Sequence, residues 1–275
     1  MILTVNIGNT NITLGAFEND SILFSARLAS VKAATADEYA VRIGGVLSLH
    51  HIAPEQVEGA ILGSVVPSLT SPVKAALEML YSVRVRIVGP GMRSGLPLRI
   101  DNPSELGAEL LCGAVAALQI HKPPLVLIHM DTACSMMAVN AAGQLVGGVI
   151  SAGPHLALNT LVRHTSQLSH VDVDAPVGSV LATTTASSLH TGAVLGTAVM
   201  IDGLMARFRA ELGQDTAAIA TGQFPKSILN ACTCGITYRE NLILDGLYMI
   251  WCKNKKKYSG LQFQFSPFLL KQNVL

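Results

Sequence analysis

Asn6, Gly8, Asn9, Thr10 and Asn11 fall within one short turn, Thr-Val-Asn-Ile-Gly-Asn-Thr-Asn-Ile-Thr over residues 4–13, between two apolar runs. Small hydroxyl and amide side chains around a glycine let backbone N–H groups come close to a phosphate. In cradles of this kind a metal-facing carboxylate usually ends the first strand, and here that place holds Asn6. A second turn of small residues carries His129, Asp131 and Thr132, and Thr221-Gly222 forms a third. Glu109 sits on an Ala/Leu-rich helical stretch, where a carboxylate is either a solvated helix residue or a general base. Each piece alone also has a plain structural use. Gly8, Asn9 and Thr10 suit any tight hairpin, and His129, ending a buried strand, suits a satisfied core histidine better than a catalyst. Met130, Met136 and Met137 suit core filling. Asp131 has a further role open to it, as a metal carboxylate facing Asn6 that restores the missing negative charge.

The elements that must hold these groups follow from periodicity. Met1–Val5 and Ile12–Phe17 predict strands on either side of the first turn, with Ile22–Phe24 a third. Thr35-Ala-Asp-Glu38 has the pattern of a capping box, and Tyr39, Ile43, Val46 and Leu47 recur behind it at helical spacing. Ala60–Val66 predicts a buried strand, Pro72–Tyr81 a helix, and Val83–Val88 a half-exposed strand. A glycine-rich loop over 89–95 leads to a helix expected from Pro103 to about Ile120. Past His121-Lys-Pro-Pro124 the opening theme returns: strand Leu125–His129, turn Met130–Ser135, then a hairpin of Met136–Asn140 and Leu145–Ile150. Helices at 156–165 and 187–212, a strand Ala217–Ala220 and a last helix Asn241–Trp251 follow. Two halves that begin alike predict a duplicated α/β unit with a cleft between, divided as 1–120 and 121–252. From 253 to 275 the chain changes character, with a lysine run and then Leu261, Phe263 and Phe265 alternating with glutamine until Pro267; a loosely held tail is expected.

Composition narrows the function classes. The 275 residues are 50% hydrophobic and 13% charged, with a net charge of +1. Such a balance gives no field to attract nucleic acid or an anionic membrane. No uninterrupted apolar run reaches the ~18–20 residues that span a bilayer, and the first residues lack a basic leader, so a cytoplasmic protein is expected. The five cysteines are scattered and expected to be reduced, and Cys232-Thr-Cys234 reads as buried thiols rather than half of a metal clamp.

In order and spacing, the motifs Asn6-Ile-Gly-Asn-Thr-Asn11, Thr35-Ala-Asp-Glu-Tyr39, Ser64-Val-Val-Pro67, Val88-Gly-Pro-Gly91, Gly95-Leu-Pro-Leu98, Asp101-Asn-Pro103, Gly107-Ala108, Gly147-Gly148 and Ala220-Thr-Gly222 resemble those of type III pantothenate kinases. The likeness runs from residue 1 to about 252 and is specific in aggregate. It implies two ribonuclease-H-like domains of the sugar kinase and actin-like ATPase superfamily, and ATP-dependent phosphorylation of pantothenate, the first step toward coenzyme A. It also implies Mg²⁺, a monovalent cation (K⁺ or NH₄⁺), and a homodimer whose pantothenate site draws on both subunits.

Residue by residue, the likeness exposes a set of replacements. The family's first turn begins with a metal-binding Asp where this chain has Asn6, while Gly8, Asn9 and Thr10 keep the phosphate contacts. The family's Gly-Ala-Asp-Arg, whose Asp accepts the substrate hydroxyl proton, reads Gly107-Ala108-Glu109-Leu110. Glu109 retains the carboxylate on a longer arm, where a shift of ~1 Å can cost about a hundredfold in rate, and Leu110 removes a substrate-side cation. The second turn, Asp-x-Gly-Thr-Ala-Thr in the family, reads His129-Met-Asp131-Thr132-Ala-Cys134. His129 thus replaces the cation-binding Asp, and Asp131 brings a carboxylate toward the phosphates. Gln223 follows Gly222 where a second glycine is usual and is expected to crowd the base. Ile100 replaces a substrate-side Tyr, and Thr185 fills the substrate slot of an Asn-Thr pair. The residues therefore predict either a weakened pantothenate kinase or a non-catalytic relative with a binding, regulatory or scaffold role.

Overall fold

Apolar side chains on both faces make Ile2–Ile7 (β1) a central strand, buried at every position. The computed structural model, which describes residues 1–255, pairs it antiparallel with Asn11–Glu18 (β2) and parallel with Gly59–Ser64 (β4). Ser21–Ala29 (β3) and Val85–Ile87 (β5) are the edges, in the order β3-β2-β1-β4-β5. The second half repeats the layout. Leu125–Met130 (β6) is the buried centre, Ala133–Val139 (β7) and Leu145–Ala152 (β8) its antiparallel meander, and Ala217–Gly222 (β9) and Ile236–Tyr238 (β10) its parallel neighbours. Its order, β8-β7-β6-β9-β10, is that of the first sheet counted from its own first strand. The duplication expected from the two similar openings is therefore present as two sheets of one topology.

Helices fill three layers. Ala36–Leu49 (α1) starts at the Thr35/Glu38 capping box and, with Pro67–Tyr81 (α2), covers the outer face of the first sheet, where Tyr39, Ile43, Leu69 and Leu77 meet Leu3, Val5 and Ile7. Pro154–Arg163 (α4), Thr185–Leu212 (α5) and Lys226–Ala231 (α6) cover the outer face of the second. Ala108–Ile120 (α3) and Leu242–Asn254 (α7) lie between the sheets, joining Ile61 of β4 to Leu125 and Leu127 of β6 in one core with Leu247, Ile250 and Trp251. Burying one such leucine is worth roughly 1.5–3 kcal/mol, so this middle layer fixes how the two sheets sit.

Several elements differ from expectation for local reasons. The helix expected at Pro72 begins at Pro67, with Pro72 inside it. Proline lacks only its own amide, and the rest of the amphipathic face still packs. The helix expected from Pro103 is instead one 3-10 turn, Pro103–Glu105, and then α3, which starts after Gly107. The second turn is shorter than expected, Asp131–Thr132 alone, because pairing of β6 with β7 already begins at Met130 and Cys134. α7 runs to Asn254, where the expected tail had begun: the Asn254 amide is buried, donating to the Arg93 and Ile250 carbonyls while accepting from the Arg93 amide. The alternating segment at 261–265 lies outside the described residues. Among the described residues one helix, α5, is long and apolar enough to cross a membrane by length and composition. Gly192, Gly196, Thr197 and Asp202 interrupt its apolar residues, so no unbroken apolar run marks it in the sequence. In the fold Thr191, Val194, Ala198, Ile201 and Met205 form a stripe at 3,4 spacing buried against the second sheet.

α3 and α7 cross closely at Gly246, where a Cβ would run into the Cys112 carbonyl. Gly246→Ala is therefore expected to destabilise the protein by at least about 1–3 kcal/mol through overpacking. A circular-dichroism melt should show Tm lower by several degrees, and an unchanged Tm would contradict the close crossing.

Candidate active site

Strand alternation selects what enters the middle layer. Ile2 of β1 and Leu125 and Leu127 of β6 face it, while Leu3, Val5 and Ile7 and Val126, Ile128 and Met130 face the outer helices. Asn6 and His129 continue the inward series, each one residue before the end of its strand, at the mouth of that layer. The first turn, between β1 and β2, is braced by Gly8 N–H to the Asn11 carbonyl (2.9 Å) and by the Ser30 hydroxyl to the Gly8 carbonyl (2.7 Å). The second, between β6 and β7, is braced by the Gly153 amide on the Thr132 carbonyl at 2.9 Å. The two turns touch: Thr10 Oγ1 and Thr132 Oγ1 share a hydrogen bond of 3.0 Å.

Glu109, in the first turn of α3, brings its carboxylate over the first turn. A Cβ built on Gly8 would lie 3.0 Å from Glu109 Oε1 and 3.4 Å from Asp131 Oδ2. Two carboxylates from opposite halves of the chain thus converge on one glycine. Asn6 Nδ2 donates to Glu109 Oε1 at 2.8 Å, and Asn6 Oδ1 is buried with no partner. Gln223 Nε2 donates to Asp131 Oδ1 at 2.9 Å. Gln223, expected to crowd the base, lines the cavity beside Phe224 and Tyr238 with its amide turned toward Asp131 and tied there. The cavity among Asn6, Glu109, His129, Asp131 and Gln223 holds about 50 Å³ and opens beside a roomier one of about 520 Å³ at Phe224, Lys226 and Tyr238. Gly222 lines both and has φ +92°, with no room for a Cβ against the Met130 carbonyl.

Burial governs the charges. It raises the Glu109 carboxyl to about 7, against the Asn6 hydrogen bond and with the Asp131 carboxylate adding to the rise. It raises Asp131 as well, opposed by the Thr132 amide, Arg27 and His155. It lowers His129 to about 4, which keeps that imidazole neutral. Cys232 and Cys234 are pushed up to about 12, chiefly by burial, and all five cysteines are free thiols. Among the described residues no three His, Cys, Asp or Glu side chains are grouped to hold a metal.

The structure does not bring every predicted residue to this cavity. Ile100 and Leu110 are each partly buried and packed against the middle core. Gly107 caps α3 beside Val65, and Ala108 faces Gly63. Thr185 is the first residue of α5, exposed behind the Thr184 cap. Asn9 is exposed at the tip of the first turn, whereas Asn11 lines the cavity. Sequence reasoning missed Arg27, Thr13, Glu240 and Asn241, all of which line it.

The sequence profile of the type III pantothenate kinases matches residues 2–207. The chain belongs to that family. It is 36% identical over 254 residues to the type III pantothenate kinase of Solibacter usitatus, covering 92% of this chain and 97% of the relative. It is 32% identical over 256 residues to that of Syntrophobacter fumaroxidans, covering 93% and 99%. Its fold is similar to that of the activator of 2-hydroxyisocaproyl-CoA dehydratase from Clostridium difficile, solved with bound ADPNP, at TM-score 0.51 and 10% identity over 93% of this chain and 96% of the other. Component A of the (R)-2-hydroxyglutaryl-CoA dehydratase of Acidaminococcus fermentans gives the same TM-score at 11% identity, over 93% and 98%. These likenesses show the fold, an α/β arrangement of two five-stranded mixed sheets with helices. In this chain Glu109, Asp131 and Glu240 bring carboxylates to the cavity.

Glu109 ionises near 4.5 when unfolded and near 7 when folded. Its stabilising contribution is thus complete below pH 4.5 and is lost as pH rises through 7. Glu109→Gln keeps the acceptor for Asn6 and is expected to raise Tm at pH 8 but hardly at pH 4.5. At ~1.4 kcal/mol per pKa unit, the gain is at most about 3 kcal/mol. Melts of both proteins at the two pH values check this, and equal shifts would contradict the buried carboxyl.

Proposed function

We propose that this cleft transfers the γ-phosphoryl group of ATP to the hydroxyl of pantothenate, with Glu109 as general base and with turnover below that of a chain carrying the full family motifs. The observation that supports this most directly is the Glu109 carboxylate 3.0 Å from a Cβ position on Gly8, over the turn that suits a phosphate. A carboxyl that titrates near 7 is half ionised at neutral pH and is suited to accept a proton there. In the transfer the hydroxyl oxygen bonds to the γ-phosphorus, the bond to the ADP oxygen breaks, and the hydroxyl proton passes to Glu109. Thr10, Thr132 and the turn amides are placed to hold the phosphate oxygens.

The family implies Mg²⁺. Asn6 Nδ2 is committed to Glu109, but the orphaned Asn6 Oδ1 and the Asp131 carboxylate are oxygen donors of the kind Mg²⁺ takes when substrate phosphates complete its shell. Bound there, Mg²⁺ supplies charge neutralisation of the phosphate chain. A monovalent cation fits less well, since His129 puts a buried neutral imidazole where the family has a carboxylate. We assign it no step. We place the homodimer surface on the β8, α4 and α5 face; exposed Ile150, Leu156, Leu161 and Val199 beside a groove of about 500 Å³ support that reading. Thr185, at the start of α5, would then serve a site completed by the second copy. The free thiols suit a reducing compartment, and we place the protein in the cytoplasm as a two-lobed enzyme dividing near residues 120 and 121.

The replacements at Asn6, His129 and Asp131 share one cavity, and loss of one transition-state contact typically costs ~3 kcal/mol, about a hundredfold in rate. That accumulation favours a second reading, a nucleotide-binding relative without catalysis. A coupled assay with ATP, Mg²⁺ and pantothenate separates the two. The kinase reading expects slow turnover that rises with pH through about 7, and a further loss of at least about a hundredfold in Glu109→Gln. ATP binding with no phosphopantothenate above background would leave the non-catalytic reading.

A further inference from the structure

Arg27 enters the cleft from β3, and none of the phosphate-turn or α3 motifs includes it. Register fixes its place. Asn6 faces Thr13 across β1 and β2, and Thr13 faces Arg27 across β2 and β3. Residues directly opposite share a face, so the three stand in one row at the ~5 Å spacing of paired strands. The row runs from the phosphate turn to Arg27. Among the described residues lining the tight end of the cleft, Arg27 is the cationic side chain, set against Glu109, Asp131 and Glu240. It also lines the roomier cavity beside Tyr238, so it stands where the two join. Arg27 Nη2 donates to Glu240 Oε1 at 2.9 Å, and the two side chains are 44% and 57% exposed.

An ion pair this exposed contributes little to stability, so breaking it is cheap. A polyphosphate offers the guanidinium more: higher charge and paired oxygens that match its fork of N–H donors. The need is also evident. Three carboxylates surround the cavity, and Leu110 brings no charge from α3. We propose that Arg27 is a phosphate-binding residue for the nucleotide, held on Glu240 in this structure and handed from that carboxylate to the phosphate chain when the nucleotide binds. Glu240 is then a competitor of the phosphate. This rests on the nucleotide-cleft reading above, and it adds a residue that the motif comparison does not supply.

A pure latch between the two halves is the competing account, and the two differ in sign. Calorimetric titration of MgATP and of adenosine into the full chain, into Arg27→Ala and into Glu240→Gln separates them. Handover predicts that Arg27→Ala weakens MgATP binding tenfold or more with adenosine unchanged, that Arg27→Lys falls between, and that Glu240→Gln tightens MgATP severalfold. MgATP affinity moving in the same direction in Arg27→Ala and Glu240→Gln marks a latch and overturns the proposal. So does unchanged MgATP affinity in Arg27→Ala, which would leave the kinase reading intact. No MgATP binding by the unaltered protein would overturn the kinase reading itself, and this proposal with it.

Discussion

The convergence of two carboxylates on the space that a Cβ of Gly8 would fill is the constraint on which the rest of the cleft depends. Glu109 comes from a helix in the middle layer and Asp131 from the opposite sheet, and the space each occupies would be contested by any side chain at that position. That approach requires the middle layer to hold the sheets at one separation. α3 and α7 provide it through a shared apolar core, with a glycine at their own crossing. A functional contact a few ångströms wide is thereby set by packing that extends through the whole molecule.

Electrostatics follow from that packing. The hydrogen bond from Asn6 favours the ionised form of Glu109 against the burial that raises its carboxyl to about 7, so this position carries part of a negative charge near neutral pH. The second negative charge sits across the cleft on Asp131, tied by Gln223. The arrangement is self-consistent as a folded state. Glu109 titrates near neutrality instead of in the usual carboxylate range, because burial outweighs the hydrogen bond it receives. The carboxylates of Glu109 and Asp131 therefore meet Asn6 and His129 in one cavity, while Ile100 and Leu110 pack, partly buried, against the middle core.

Most of the fold was legible from local signals. Apolar runs found β1, β4, β6 and β9, the capping box found α1, and the repeated opening found the duplication. Short elements were not: β10 and α6 have too few residues to show a period, and their stability comes from neighbours. The turn residues and Glu109 were singled out by their likeness to the family motifs, since residue type and spacing alone also suit a plain hairpin and a plain helix glutamate. Arg27 and Glu240 were missed because lateral register between strands and contact across a cleft leave no mark on sequence spacing. The direction taken by Gln223 was missed for a related reason, since its partner is 92 residues away.

The central claim is that the two turns, now joined by Thr10 and Thr132, close on a triphosphate. A crystal structure with a non-hydrolysable ATP analogue and Mg²⁺ tests it most directly. The account predicts the β- and γ-phosphates lying between the turns, within hydrogen-bond distance of their main-chain amides, with the Thr10 to Thr132 contact opened and Glu109 beside the γ-phosphate. An analogue bound elsewhere, with the two hydroxyls still in contact, would contradict it.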